Sequence, residues 1–169
     1  MLTGSAALCA RWCGEHMGAS LQDAGAVLAG LSVLVVDADY RTRKDLRALL
    51  LALGCTRVHD ARDGAGGLAA VGSIRPDIVL LAWDLPDLDG AAFVRAVRAP
   101  AAPVPAAEIV VLTRAGQSSG VLEAVRLGVH EFLLKPVSRE ALQARLLSVF
   151  ARMRLSRRQD RSHGTPAGA

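Results

Sequence analysis

The chain has 169 residues, 51% hydrophobic, 21% charged and only 4% aromatic, which is enough for one well-packed domain, short of two, and too apolar for wholesale disorder. The formal charge of +4 is accounted for by Arg152, Arg154, Arg157, Arg158 and Arg161 less Asp160, and the remaining 15 basic and 15 acidic residues cancel. A neutral body with a basic tail excludes a globally basic nucleic-acid-binding domain and leaves only the tail to touch phosphate.

Residues 1–30, rich in Gly, Ala and Ser, read as a weakly structured extension with one short helix near 21–28 and no part in the core. Met17 offers an alternative start, which would make the first sixteen residues an artefact. Cys9, Cys13 and His16 fall at i, i+4 and i+7, but structural zinc wants a fourth ligand and none is nearby. Three cysteines, these two and Cys55, are too few for a disulfide-stapled secreted scaffold. Arg11, Glu15 and His16 interrupt the early apolar stretch, and no run reaches the roughly 18 residues of a membrane span. A soluble, cytoplasmic protein is expected.

From Leu31 the pattern sharpens. Residues 31–36 form a continuous β-branched and leucine run ending at Asp37, as a strand buried on both faces should. Leu46, Leu49, Leu50 and Leu53 then fall on one face of a helix stopped by Gly54. Residues 57–61 read as a short strand, 64–73 as a glycine-weakened helix, and 78–82 as a buried strand after the Arg75-Pro76-Asp77 turn. Phe93, Val94 and Val97 mark a helix over 90–98, while three prolines keep 99–107 from being helical throughout. A buried strand over 108–113, a helix over 118–127 capped by serine and ended by Gly128, and a short strand over 131–134 follow. Ser138 caps a last helix with Leu142, Leu146, Val149, Phe150 and Met153 as its inner stripe.

Five strands alternating with five helices predict an α/β fold, a doubly wound parallel sheet covered on both faces. The functional crevice of such a sheet lies at the carboxyl ends of its strands. Those ends carry Asp37, Ala38 and Asp39; Ala82, Trp83 and Asp84; Thr113 and Arg114; and Lys135 with Pro136. No glycine-rich loop follows the first strand, so a dinucleotide site is excluded.

Val33-Leu34-Val35-Val36-Asp37, Leu85-Pro86-Asp87-Leu88-Asp89-Gly90, Val110-Val111-Leu112-Thr113 and Phe132-Leu133-Leu134-Lys135-Pro136 occur in order at the ends of alternate elements. Over 31–150 the chain thereby resembles the receiver domain of bacterial response regulators, with that family's flavodoxin-like (βα)5 sheet. The resemblance implies two-component signalling, in which a histidine kinase passes a phosphoryl group to an aspartate at the end of the third strand. Two acids after the first strand and that aspartate hold magnesium, and a threonine and a lysine bond the phosphoryl oxygens. Carried over, Asp37, Thr113 and Lys135 match. Ala38 stands at the second acid position and Ala82 at the phosphoacceptor position.

A methyl group is neither nucleophile nor metal ligand, so no catalytic residue is expected, and magnesium binding should be weak or absent. Asp37 and Lys135 are expected to pair directly, with Asp37 and Asp84 as the weak candidates to hold a metal and Asp84 or Asp39 as the candidates to rescue phosphorylation with altered metal ligation. Phe132, at the family's switch-aromatic position, lacks a hydroxyl and should favour a buried rotamer, either fixing the face formed by the 118–127 helix, the last strand and the last helix or merely packing in the core. Trp83 either docks a partner or covers the pocket rim. The expected domain runs from 31 to 151, followed by a basic, disordered tail over 152–169 that is read as solvated rather than nucleic-acid-binding.

The nineteen residues after Phe150 cannot hold a helix-turn-helix output module. The expected activity is therefore binding to a histidine kinase, another response regulator or an output protein, with homodimerisation through Val121, Leu122 and Val125 as a further expectation.

Overall fold

The computed structural model describes residues 21–99, 107–116, 118–129 and 131–162. Cys9, Cys13 and His16 lie outside them, as does the segment 163–169 of the expected tail. Five strands, β1 (Ser32–Val36), β2 (Arg57–Ala61), β3 (Ile78–Ala82), β4 (Glu108–Thr113) and β5 (Glu131–Leu134), form one parallel sheet in the order β2-β1-β3-β4-β5. The helices are α1 (Leu21–Ala29), α2 (Tyr40–Ala52), α3 (Gly64–Ile74), α4 (Gly90–Arg98), α5 (Ser118–Arg126) and α6 (Arg139–Ser162). This is the doubly wound α/β architecture expected from the alternation.

Side chains alternate across each strand, so β1 supplies Val33 and Val35 to one core and Leu34 and Val36 to the other. The first core joins those residues to Leu46 and Leu50 of α2 and Leu142, Leu146, Val149 and Met153 of α6. The second packs Val71 of α3, Phe93, Val94 and Val97 of α4 and Ala124 of α5. Both faces of β1 and β3 are covered, which is why those strands read as unbroken apolar runs. The glycines of α3 allow close packing: a Cβ on Gly67 would stand 2.9 Å from both Phe93 and Val36.

Two expected boundaries are corrected. The sequence predicts no core role for residues before 31, yet Leu28 of α1 is fully buried in the cluster that holds Leu31, Cys55, Val149 and Met153. The Thr56 hydroxyl donates to the Ala29 carbonyl at 2.9 Å, and the Arg57 guanidinium donates to the Gly30 carbonyl. A Cβ on Gly54 would stand 3.1 Å from Gly25, so α1 sits directly against the turn after α2. The sequence hides this because α1 meets surfaces far away in the chain. Leu28→Ala should therefore cost about 2–4 kcal/mol, readable as a lowered urea midpoint, where a peripheral extension would leave the midpoint unmoved.

The second correction concerns the tail. Helix α6 continues to Ser162, eleven residues beyond the expected domain end, because Met153 still packs on the core and Arg152 is fixed by two carboxylates. Glu131, buried at the start of β5, accepts from Arg145 at 2.7 Å, Ser148 at 3.2 Å and Arg152 at 3.0 Å. Arg152 also donates to Glu108 at the start of β4, at 3.0 Å. A charge assigned to a solvated tail is thus part of the network that ties α6 to the amino ends of two strands.

Candidate functional site

The strand ends meet as the chain order requires. Asp37 follows β1 and is only 3% exposed, with its backbone N–H bonded to the Ala61 carbonyl of β2. One carboxylate oxygen accepts the Asp39 N–H at 2.9 Å and the other accepts the Lys135 ammonium. Lys135 follows β5, its N–H bonded to the Thr113 carbonyl at 2.8 Å, and the Lys135–Pro136 peptide is cis. The expected direct pair of Asp37 and Lys135 is therefore present, with side chains 4% and 14% exposed.

A cavity of about 170 Å³ opens beside this pair, lined by Asp37, Ala38, Asp39, Ala82, Trp83, Asp84, Leu112, Arg114 and Lys135. Ala82 closes it with a buried methyl, while Ala38 and Asp84 are exposed at the rim. Thr113 ends β4 but does not line the cavity; it is 8% exposed, and its hydroxyl donates to the Arg114 carbonyl at 3.4 Å. The structure thus brings together the expected residues at the ends of β1, β3 and β5, with Thr113 set back.

Asp39 has a different task from the one considered for it. Its carboxylate caps α2, accepting from Arg41 N–H at 3.2 Å, Thr42 N–H at 3.1 Å and the Thr42 hydroxyl at 2.6 Å. The Thr42 hydroxyl, then the Thr42 N–H, hold this carboxyl below the ordinary aspartate range. Arg43, which sequence reasoning missed, grips the same loop, donating to the Asp37 and Ala38 carbonyls at 2.7 and 3.0 Å and to Asp60 at 3.2 Å. Its position in the first turn of a helix that follows a strand-end acid was the available signal.

The loop after β3 is anchored by Asp87, which accepts the Gly64 and Ala65 N–H groups at 2.8 and 2.9 Å at the start of α3. Those two bonds, Gly64 first, lower the Asp87 carboxyl below its ordinary value. An acid lowered on folding stabilises the fold above its unfolded pKa of about 3.9, and that contribution disappears as pH falls through the lower folded value. Wild type should therefore lose thermal stability at acid pH more steeply than Asp87→Asn, measured as melting temperature against pH; parallel curves would count against the anchoring role.

On the surface that includes α5 and β5, Leu122 is 63% exposed, Val125 44% and Leu134, not anticipated from sequence, 57%. Val121 and Phe132 are half-buried, and Phe132 packs against the second core. Among the described residues no helix is long and apolar enough to cross a membrane, and no three His, Cys, Asp or Glu side chains are grouped to hold a metal ion.

Residues 33–147 match the response regulator receiver domain family. The chain is 33% identical over 130 residues to protein-glutamate methylesterase/protein-glutamine glutaminase 1 of Myxococcus xanthus, a match covering 75% of this chain and 36% of that protein. It thus spans about a third of that longer relative. It is 27% identical over 123 residues to the chemotaxis protein CheY of Pseudomonas aeruginosa, covering 73% of this chain and 98% of that one. The crystal structure of Vibrio cholerae chemotaxis protein CheY4 superposes with a TM-score of 0.64 at 28% identity, over 70% of this chain and 98% of the other. With the five-stranded order, the four strand-end motifs and these matches in agreement, the chain belongs to the response regulator receiver domain family.

Proposed function

We propose that this protein is a degenerate receiver that acts in two-component signalling by binding a partner, without itself taking a phosphoryl group. The observation that carries this reading is Ala82 at the carboxyl end of β3, facing an Asp37–Lys135 pair that already satisfies both charges. An alanine offers no oxygen to accept a phosphoryl group. The partner chemistry the family suggests is a histidine kinase, another response regulator or an output protein, with a second copy of this chain as a further candidate, in a cytoplasmic setting.

The donor set does not fit magnesium, which wants near-octahedral oxygen coordination and usually one or two carboxylates. Ala38 and Ala82 contribute methyls, Asp39 is used by the α2 cap, and Asp37 is held by Lys135 and the Asp39 N–H. With Lys135 paired to Asp37 and Arg114 also lining the cavity, no step through a metal is derived. Half-buried Phe132 supports a receiver held in one conformation, since phenylalanine has no polar tip drawing it outward.

Asp84 keeps a second reading in view because it lines the same cavity. Incubating the full chain with a small-molecule phosphodonor and magnesium, followed by intact-mass measurement, separates the two. The expected result is no phosphoryl adduct. An adduct that disappears in Asp84→Asn would establish a phosphorylatable switch instead.

A further inference from the structure

Helix α6 outruns the body it packs on. Met153 is its last residue in the first core, yet the helix continues to Ser162. Leu147, Ala151 and Leu155, each four residues from the next, share one face of it. Burial declines along this line: Leu147 packs against the first core, Ala151 is half-buried and Leu155 is 52% exposed. An apolar seam therefore leaves the domain with its outer end uncovered among the described residues.

The same stretch holds the charge. Arg152 is engaged with Glu108 and Glu131, and beyond it lie Arg154, Arg157, Arg158 and Arg161, with Asp160 as the one acid. Their positions, i, i+3, i+4 and i+7, fall within about 100° of arc and about 10 Å of helix rise. Arg154 is exposed, its guanidinium over the half-buried Phe150 ring at 5.8 Å. It lies three positions from Ala151, and Arg158 three from Leu155, so the basic row borders the seam.

That combination selects among occupants. A phosphate backbone would take the arginines but give Leu155 nothing to bury against. A bilayer wants a broad apolar face, and Met153, the neighbouring apolar side chain, is turned into the core. A second copy docked through the same patch would set arginine against arginine, because such a contact is isologous. A helix with its own apolar seam and an acidic border matches both features, as charged positions beside a coiled-coil seam do. We propose that the end of α6 is a docking face for an acidic amphipathic helix of a partner protein, with Leu155 entering the seam and the arginine row set against the partner's carboxylates. The inference rests on the reading above in taking the partner to be a protein, and it names the chemistry which that protein presents. Carboxylates three and four residues apart on such a helix repeat at the spacing of the arginines, and guanidinium forks grip carboxylates through paired hydrogen bonds.

The test titrates the full chain against a fluorescein-labelled synthetic peptide of about three heptads, with leucine in its seam and glutamate on its borders, read by anisotropy. The same peptide with lysine for glutamate, a mixed-sequence DNA duplex and vesicles containing phosphatidylserine are the comparisons. The acidic peptide should bind at least about tenfold more tightly than the lysine peptide, and its affinity should fall as salt is raised. Arg154→Glu with Arg158→Glu should weaken the acidic peptide by about tenfold or more and admit the lysine peptide, an exchange that misfolding cannot mimic. Leu155→Ser should weaken the acidic peptide several-fold. Equal binding of the two peptides, a preference unmoved by charge reversal, or tighter binding to DNA or vesicles would overturn the proposal. Should the charge-reversed protein not fold, Arg154→Gln with Arg158→Gln decides by whether the acidic peptide is weakened. A phosphoryl adduct on the native chain would end the phosphorylation-independent reading yet leave these titrations in force, so the two failures are distinguishable.

Discussion

Lys135→Met is expected to destabilise the protein by about 3–5 kcal/mol, the cost of stranding a buried charge by deleting its partner. Methionine keeps much of the lysine stem, so little of the loss would come from packing. What remains is the Asp37 carboxylate, almost wholly shielded and left, among the described residues, with the Asp39 N–H as its donor. An exposed pair would contribute no more than about 1 kcal/mol, and the burial of both partners places this one in the costlier class.

The prediction sharpens in a double-mutant cycle. Asp37→Asn alone should also be costly because it leaves the ammonium without its carboxylate. The double variant removes both charges and should lose less than the two singles added together, with a coupling of about 1–3 kcal/mol. Urea unfolding with an unchanged m-value is the measurement. Strictly additive losses would mean that the pair does not join the ends of β1 and β5.

The fold was legible because its signal is local and redundant. Each central strand carries an apolar run that only a sheet covered on both faces demands, and Gly54 and Gly128 mark where helices stop. The places of Ala38 and Ala82 were legible for a related reason: strand ends are fixed by the pattern, so the residues there are fixed too. What the sequence concealed depends on distant contacts. Leu28 gains its importance from Val149 and Met153 in α6, and Arg152 from carboxylates at the start of β4 and β5. The bond from Asp87 to the start of α3 spans 23 residues, and no periodicity announces it. Asp39 illustrates the limit most clearly, since one short acidic side chain suits both a metal site and a helix cap, and only geometry separates the two roles.

Placing aspartates at positions 38 and 82 should produce the largest change in behaviour. At present Asp37 pairs directly with Lys135 on the pocket floor. Ala38→Asp with Ala82→Asp adds two negative charges, one at the exposed rim and one where Ala82 is now buried. Without a divalent cation the variant should be less stable than wild type by about 1–3 kcal/mol, within the ordinary range for introducing unpaired buried charge. A magnesium ion supplies two positive charges to set against the two added carboxylates, and binding to the folded state alone stabilises by about 2.7 kcal/mol when the ion is at a hundred times its dissociation constant. The melting temperature of the variant should therefore rise with magnesium while that of wild type stays level, and only the variant should gain a phosphoryl adduct from a small donor. The two readouts fail separately. Magnesium dependence without an adduct would place the remaining obstacle at Thr113, set back from the cavity wall, and adduct formation by wild type would show that Ala82 was never the obstacle.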